Sequence, residues 1–392
     1  MKVICDRAAL LDAINLVSGV VATRTPRPQL TCVKLTAMKE GDAGRLVLAA
    51  TDAEVSLRLS TANVDVQEEG EALIPAQKLQ QIIAAEENEP TLTLETDEDM
   101  MHVRGADARF KVFGYPSGDF PPVPEFPGAD ERGVRTVFRV GASELDTLIS
   151  RTLFATAREN SRYAINGVLM KVHGKKIEMV ATDGRRLALA RGVADSAPGD
   201  EAVSCIIPTK ALALCAKLID GEDAVRIAIT ENQAIFAFGH PEEPPRAALA
   251  TSLVEGAFPP YEDVIPRDQD KKAVFDVAAL RSGVRRAALL TNEESRGVRL
   301  AFTAGKGKGK DSGANLRLSS RAPEMGEAEI DVDVSSYDGE DIEIGFNPNF
   351  ITDALKIIDE PQVIMELKAS NKPGLIKSGT EFTYVVMPVS LQ

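Results

Sequence analysis

A carboxylate followed by two arginines is the strongest chemical signal in the sequence. Asp183-Gly184-Arg185-Arg186 has the residue types of a catalytic acid with anion-binding partners. Its repeat argues for a turn instead. Ala50-Thr51-Asp52 copies the Ala181-Thr182-Asp183 triplet without the arginines, and an Asp at a chain reversal bonds readily to backbone two residues on. No GxSxG, Walker A, GxGxxG or HExxH pattern occurs. His102, His173 and His240 are far apart, and Cys5, Cys32, Cys205 and Cys215 have no CxxC spacing. The acidic runs Glu86-Glu87 and Asp97-Glu98-Asp99 read as solvated loops. The expectation is no catalytic residue, no metal and no cofactor. A hydrolase on a repeated scaffold is the competing enzyme reading.

Basic side chains give the second signal. The chain carries 45 Lys+Arg against 59 Asp+Glu, a net charge of −14. That total excludes a uniformly basic nucleic-acid binder but not a local basic face. Lys210 and Lys217 lie seven apart, and Arg281 and Arg285 four apart beside Arg286, so each set shares one face of a helix. Arg7, Lys78, Arg151 and Lys356 fall on corresponding segments, against Asp12, Glu144, Asp146 and Asp353. Helix faces are thus expected to collect positive potential and to hold phosphates without reading bases. Aromatic residues are 5 % of the chain and Trp is absent. Stacking platforms for single strands are therefore missing, and duplex is the better ligand.

These residues must be positioned by a fold, and the chain is built in thirds. The Ala-Thr-Asp triplet recurs after 131 residues. Ile74-Pro75 with Lys78 recurs as Ile207-Pro208 with Lys210, and Phe120-Pro121-Pro122 as Phe258-Pro259-Pro260. Each third opens with a short strand: Lys2–Cys5, Thr136–Val140, Lys272–Val277. A helix-period stripe follows: Leu10, Leu11, Ile14 and Val17; Leu145, Leu148, Ile149 and Leu153; Leu280, Val284 and Ala288. Strand-like runs come next (45–59, 175–191, 297–302 with 314–319). A second helix is expected over Ala76–Ala85, Thr209–Ile219 and Asn349–Ile358, and further strands close each third. The class is α+β, two helices per third packed on antiparallel sheets. Pro-rich stretches at 116–133 and 259–272 part the domains 1–127, 134–262 and 264–392. The Gly/Lys run 305–310 reads as a flexible tip. No run of about 18 apolar residues exists to cross a bilayer, and the thiols fit a reducing cytoplasm.

With the repeats in place, the sequence resembles the bacterial DNA polymerase III beta subunit, the sliding clamp family, over essentially its full length. The carrying segments are 161–167 (SRYAING), 180–188 (VATDGRRLA), 256–261 (GAFPPY), 296–300 (RGVRL), 344–347 (IGFN) and 384–388 (YVVMP). The resemblance implies three DNA-clamp domains forming half of a ring, closed by a homodimer around double-stranded DNA. It implies a non-catalytic processivity subunit. DNA-facing positions would be Arg24, Lys78, Arg109, Tyr163, Lys210 and Lys217. The seam would use Phe110 and Val112 against Leu289 and Leu290. A peptide pocket would comprise Ile165, Thr182, Gly184, Arg186, Leu187, Pro259, Val264, Val385, Val386, Met387 and Pro388. It would receive the polymerase III alpha subunit, the clamp loader delta subunit, repair polymerases, mismatch-repair proteins and ligase. A paralogue serving drug resistance or repair has the same implied fold. Arg185 stands where the family usually has His, Asp263 where several members are basic, and Ser390 where Arg is frequent.

Overall fold

The computed structural model describes residues 1–40, 43–61, 64–128, 131–157, 163–195, 202–291, 297–305, 313–322 and 325–390. The Gly/Lys run at 306–310, Ser161, Arg162 and Arg296 lie outside them. The six helices among the described residues are α1 (Arg7–Ser18), α2 (Ala76–Ala85), α3 (Ala142–Leu153), α4 (Thr209–Leu218), α5 (Val277–Ala287) and α6 (Pro348–Lys356). Each odd-numbered helix follows the strand that opens its third. In two of them that strand ends in Asp. Asp6 accepts from the Ala9 amide at 2.8 Å, and Asp276 from the Ala279 amide at 2.8 Å, satisfying donors the first turn leaves open. The second helices α2 and α4 start directly after Pro75 and Pro208, whose fixed φ suits a helix entrance.

All strand pairs named in the four sheets are antiparallel. The run 45–59 is a hairpin, Ala43–Thr51 and Val55–Thr61, turning at Asp52. Lys176–Thr182 and Arg186–Val193 repeat it at Asp183. Strands that sequence pattern did not single out complete each unit, among them Cys32–Glu40, Gly167–His173, Val203–Pro208 and Gly326–Asp333.

The domains are joined strand to strand. Val55–Thr61 of the first pairs with Ala247–Ser252 of the second, from Val55↔Thr251 to Leu59↔Ala247. Arg186–Val193 of the second pairs with Phe382–Val386 of the third, from Arg186↔Val386 to Ala190↔Phe382. Two sheets, eight and nine strands wide, therefore run across domain boundaries. The positions equivalent to these joining strands at the two ends of the chain are left as sheet edges: Arg109–Phe113 in the first domain and Gly326–Asp333 in the third.

One large aliphatic core lies between helices and sheets. Two smaller clusters sit on the outer sheet faces, each under an interdomain connection. Phe126 packs on Ala228, Ile235 and Ala250, with the Arg226 guanidinium 5.1 Å from its ring. Tyr261, Phe258, Val254 and Ile265 cover Leu169, Val180, Leu187, Leu189 and Val385. Aromatic anchors thus hold both Pro-rich connections flat against the sheets.

The four cysteines are free and buried. Burial pushes the Cys5 and Cys205 thiols up to about 12 and Cys32 to about 11. Because the thiolate is the nucleophile, a thiol-specific chromogenic reagent at pH 8 is expected to leave all four unmodified in the folded protein. Denaturant should release all four together. Fast labelling of one thiol in the native state would contradict this burial.

Candidate functional sites: helix faces, open edges and an outer-face pocket

The helix faces carry less positive charge than composition suggests, and the reason is pairing. Arg151 is buried and bonds Glu360 at 2.8 Å across the second and third domains. Arg7 is half-buried and donates to the Ile83 carbonyl. Neither adds to an exposed basic face, which corrects the expectation from sequence. Lys210 stands at an exposed position, but its ammonium bonds Asp52 at 2.6 Å and the Val20 carbonyl at 3.0 Å. It ties α4 to the first domain. Burial alone would raise the Asp52 carboxyl, but bonds from Lys210 and from the Val55 and Glu54 amides outweigh it and hold the group below its ordinary value.

What remains exposed is concentrated. Arg281, Arg285 and Arg286 stand on α5, whose only acid is the capping Asp276 at its start. Lys217 ends α4 and Lys78 lies on α2, both exposed. Arg24 is exposed in the loop after α1, and Tyr163 is partly exposed before Gly167–His173. By contrast α3 presents Asp146, with Glu144 bonded to the Val193 amide at 2.9 Å. Arg109 begins an edge strand. Its neighbours Phe110 and Val112 pack toward the helix-side core, so by strand alternation Arg109, Lys111 and Phe113 share the outer sheet face. The structure therefore places Arg109 with the sheet edge rather than with the helix faces.

The open edges are apolar and oppositely charged. Phe113 is 70 % exposed, Leu289 71 % and Met325 57 %. Phe113 and Met325 belong to or adjoin the two edge strands. Leu289 and Leu290 form the short 3₁₀ turn that ends α5. The first edge carries Arg109 and Lys111. The other carries Glu327, Glu329, Asp331 and Asp333. Glu327 and Asp331 are paired within their own sheet to Arg321 and Arg317.

The pocket residues gather at the second junction, on both faces of one sheet. Thr182 is opposite Leu187, and Leu187 opposite Val385, so all three point to the outer face. Pro259 and Val264 lie on the connection whose Phe258 and Tyr261 pack in the cluster with Leu187 and Val385, and Val264 is 45 % exposed. Met387 is 39 % exposed and its amide bonds the Arg185 carbonyl at 2.9 Å. Gly184 takes a φ of +84° in the turn, a conformation glycine adopts without strain. Ile165 is buried and Pro388 follows Met387. Arg186 and Val386 are a register pair on the other, helix-side face. Val386 sits in the core beside Phe346 and Ile351. Arg186 is a junction residue. It bonds Asp183 at 3.0 Å, Asp353 at 2.9 Å and the Phe154 carbonyl at 2.8 Å, with its guanidinium 5.4 Å and 4.6 Å from the Phe154 and Phe350 rings. Asp183 also accepts from the Arg185 and Arg186 amides, so it is the turn aspartate its repeat implies. Among the described residues three acids converge on a common point at Glu86, Glu89 and Asp107, away from that turn.

Three modules of two helices on antiparallel sheets, chained edge to edge, define a DNA-clamp architecture. Comparison with known proteins gives the same answer. Residues 1–124, 139–260 and 262–390 match the N-terminal, central and C-terminal domains of the DNA polymerase III beta subunit. The beta sliding clamp of Pseudomonas aeruginosa is 35 % identical over 98 % of this chain and 99 % of its own. That of Escherichia coli is 30 % identical over the whole of both. A crystal structure of the Pseudomonas aeruginosa sliding clamp bound to griselimycin superposes with a TM-score of 0.87 at 35 % identity, covering 100 % of both chains. The chain belongs to the DNA polymerase III beta subunit family, the sliding clamps. No helix among the described residues is long and apolar enough to cross a membrane.

Proposed function

We propose that two copies of this chain close into a ring around double-stranded DNA and tether DNA polymerase III to its template as a non-catalytic processivity subunit. One observation carries the closure. Both in-chain junctions continue a sheet from one domain to the next, and the same strand positions are open at the chain's two ends. Pairing Arg109–Phe113 of one protomer with Gly326–Asp333 of its partner would satisfy those edges. It would cover Phe113, Leu289 and Met325, and set Arg109 and Lys111 against an acidic strand. Phe110, Val112 and Leu290 would close the core beneath. The domains 1–127, 134–262 and 264–392 of the two copies would then supply the six segments of the ring.

Duplex would pass along the helix faces. Arg281, Arg285, Lys217, Lys78 and Arg24 supply exposed cations, and Lys210 braces the wall. Linkage would then hold the polymerase, so weak phosphate contacts suffice. Partner peptides from the polymerase alpha subunit, the clamp loader delta subunit and repair proteins would enter the outer-face pocket at Thr182, Leu187, Pro259, Val264, Val385 and Met387. Aliphatic and Met walls accept Leu or Phe side chains and adapt to several partners.

The test of the ring is topological. Protein loaded by clamp loader and ATP should stay on nicked circular DNA and slide off after linearisation. Equal loss from both forms would refute encirclement. The assignment of the DNA-facing cations has its own expected outcome. Each phosphate neutralised by a side chain adds about 0.9 to the steepness with which log K falls against log salt. Arg281→Ala with Arg285→Ala should therefore reduce the slope for direct duplex binding by about 2, and Lys210→Ala by much less. The reverse order would move the DNA surface from α5 to α4.

A further inference from the structure

A buried phenol helps to fasten the connection that forms one wall of the pocket. Tyr261 is buried in the outer-face cluster with Leu187 and Val385. Its hydroxyl donates to Glu178 Oε1 and accepts from Lys171 Nζ at 2.9 Å. Lys171 reaches on to Glu262 at 2.8 Å and sits 4.5 Å from the Tyr261 ring centroid. Arg191 Nε bonds the other Glu178 oxygen at 3.1 Å. Three neighbouring strands of the middle domain, through Lys171, Glu178 and Arg191, thus converge on one residue of the connection. Burial and then the Glu178 carboxylate push the phenol well above its ordinary range. Open space flanks the fastening on both sides. A cavity of about 620 Å³ lies between it and Arg135, Asn232 and Phe258, and one of about 310 Å³ lies toward Ile265 and Arg267. Packing alone therefore leaves the connection room to shift, and the polar bonds fix its place.

We propose that Tyr261 is a positioning residue for the peptide pocket: its bonds to Glu178 and Lys171 set where Pro259 and Val264 stand, and so how tightly a partner's Leu and Phe side chains are held. This rests on the pocket reading above. Removing the hydroxyl leaves the ring packed on Leu187 but releases the wall.

The probe is a fluorescein-labelled peptide with Leu and Phe near its C-terminus, titrated into the full-length protein. Tyr261→Phe is expected to weaken binding about 5- to 20-fold, part of the about 10- to 150-fold that one hydrogen bond to a charged group is worth. Glu178→Gln should weaken it less, and adding it to Tyr261→Phe should change little more. Amide exchange over 258–264 should accelerate while the sheets keep their protection, which a general loss of packing would not produce. Met387→Ala separates the two readings. If the wild-type protein fails to bind, or Met387→Ala binds unchanged, the pocket itself is misassigned. If Met387→Ala weakens binding while Tyr261→Phe stays within twofold of wild type, the pocket stands and the positioning role falls.

Discussion

Leu289→Asp is expected to convert the ring into monomers without unfolding the domains. Leu289 is 71 % exposed in the single chain, so the protomer gains nothing from it. In the ring it would be covered, and burying a leucine contributes about 1.5–3 kcal/mol. A two-fold ring has two seams, so every seam residue counts twice and the loss is about 3–6 kcal/mol per dimer. That is about 10²–10⁴ in dissociation constant. Covering the new carboxylate at an apolar seam also carries a desolvation penalty in the same direction. Sedimentation at micromolar concentration should show a species near the 42.1 kDa chain mass in place of a dimer, with an unshifted thermal midpoint for the monomer. A dimer of undiminished affinity would remove the end of α5 from the seam. Lys111→Glu should act more mildly and mainly at low salt, because an exposed ion pair is worth about 0–1 kcal/mol and is screened.

The seam shows how unevenly the sequence announces its structure. Helices with clean apolar spacing were legible: the expected segment 76–85 is α2 as observed, because Ala76, Leu79 and Ile83 repeat at helical period. The turns at Asp52 and Asp183 were legible because a triplet recurs. Gly326–Asp333 was not. Its four acids alternate with Ala, Ile and Val and so put four like charges on one face, which only the cross-strand arginines 317 and 321 of the neighbouring strand offset. Long-range pairing was equally hidden. Lys210 and Asp52 are 158 residues apart, and Arg151 and Glu360 209, so nothing local says that these cations brace domains rather than face a ligand. The split of Val385 from Val386 follows from strand alternation. Which of them points outward depends on where the helices pack, and that is a property of the whole sheet.

Arg186 carries the largest stability effect of any single side chain considered, and Arg186→Ala is expected to loosen the junction between the second and third domains by about 3 kcal/mol. Its side chain is 11 % exposed. Truncation removes the donors to Asp183, Asp353 and the Phe154 carbonyl together, along with the guanidinium between the Phe154 and Phe350 rings. Breaking a buried pair typically costs about 3–5 kcal/mol because the remaining charge is stranded. The lower figure applies because Asp353 is 31 % exposed and keeps Lys356 at 3.3 Å. Lys210→Ala at the first junction should cost about 1 kcal/mol or less, since that ammonium is 43 % exposed and surface pairs are weak. Arg186→Lys keeps the charge but loses the planar fork, which satisfies several acceptors at once and stacks on both rings, so it should recover only part of the loss. Chemical denaturation read by amide exchange resolves where the loss falls. Protection should drop first along the paired strands Arg186–Ala190 and Phe382–Val386. Peptide affinity should fall with it, because Leu187 and Val385 are the next register pair on the opposite face of the same two strands. Unchanged exchange at these strands in Arg186→Ala would mean that the ladder and the apolar cluster hold the domains together on their own, and that Arg186 is a passenger at the junction it spans.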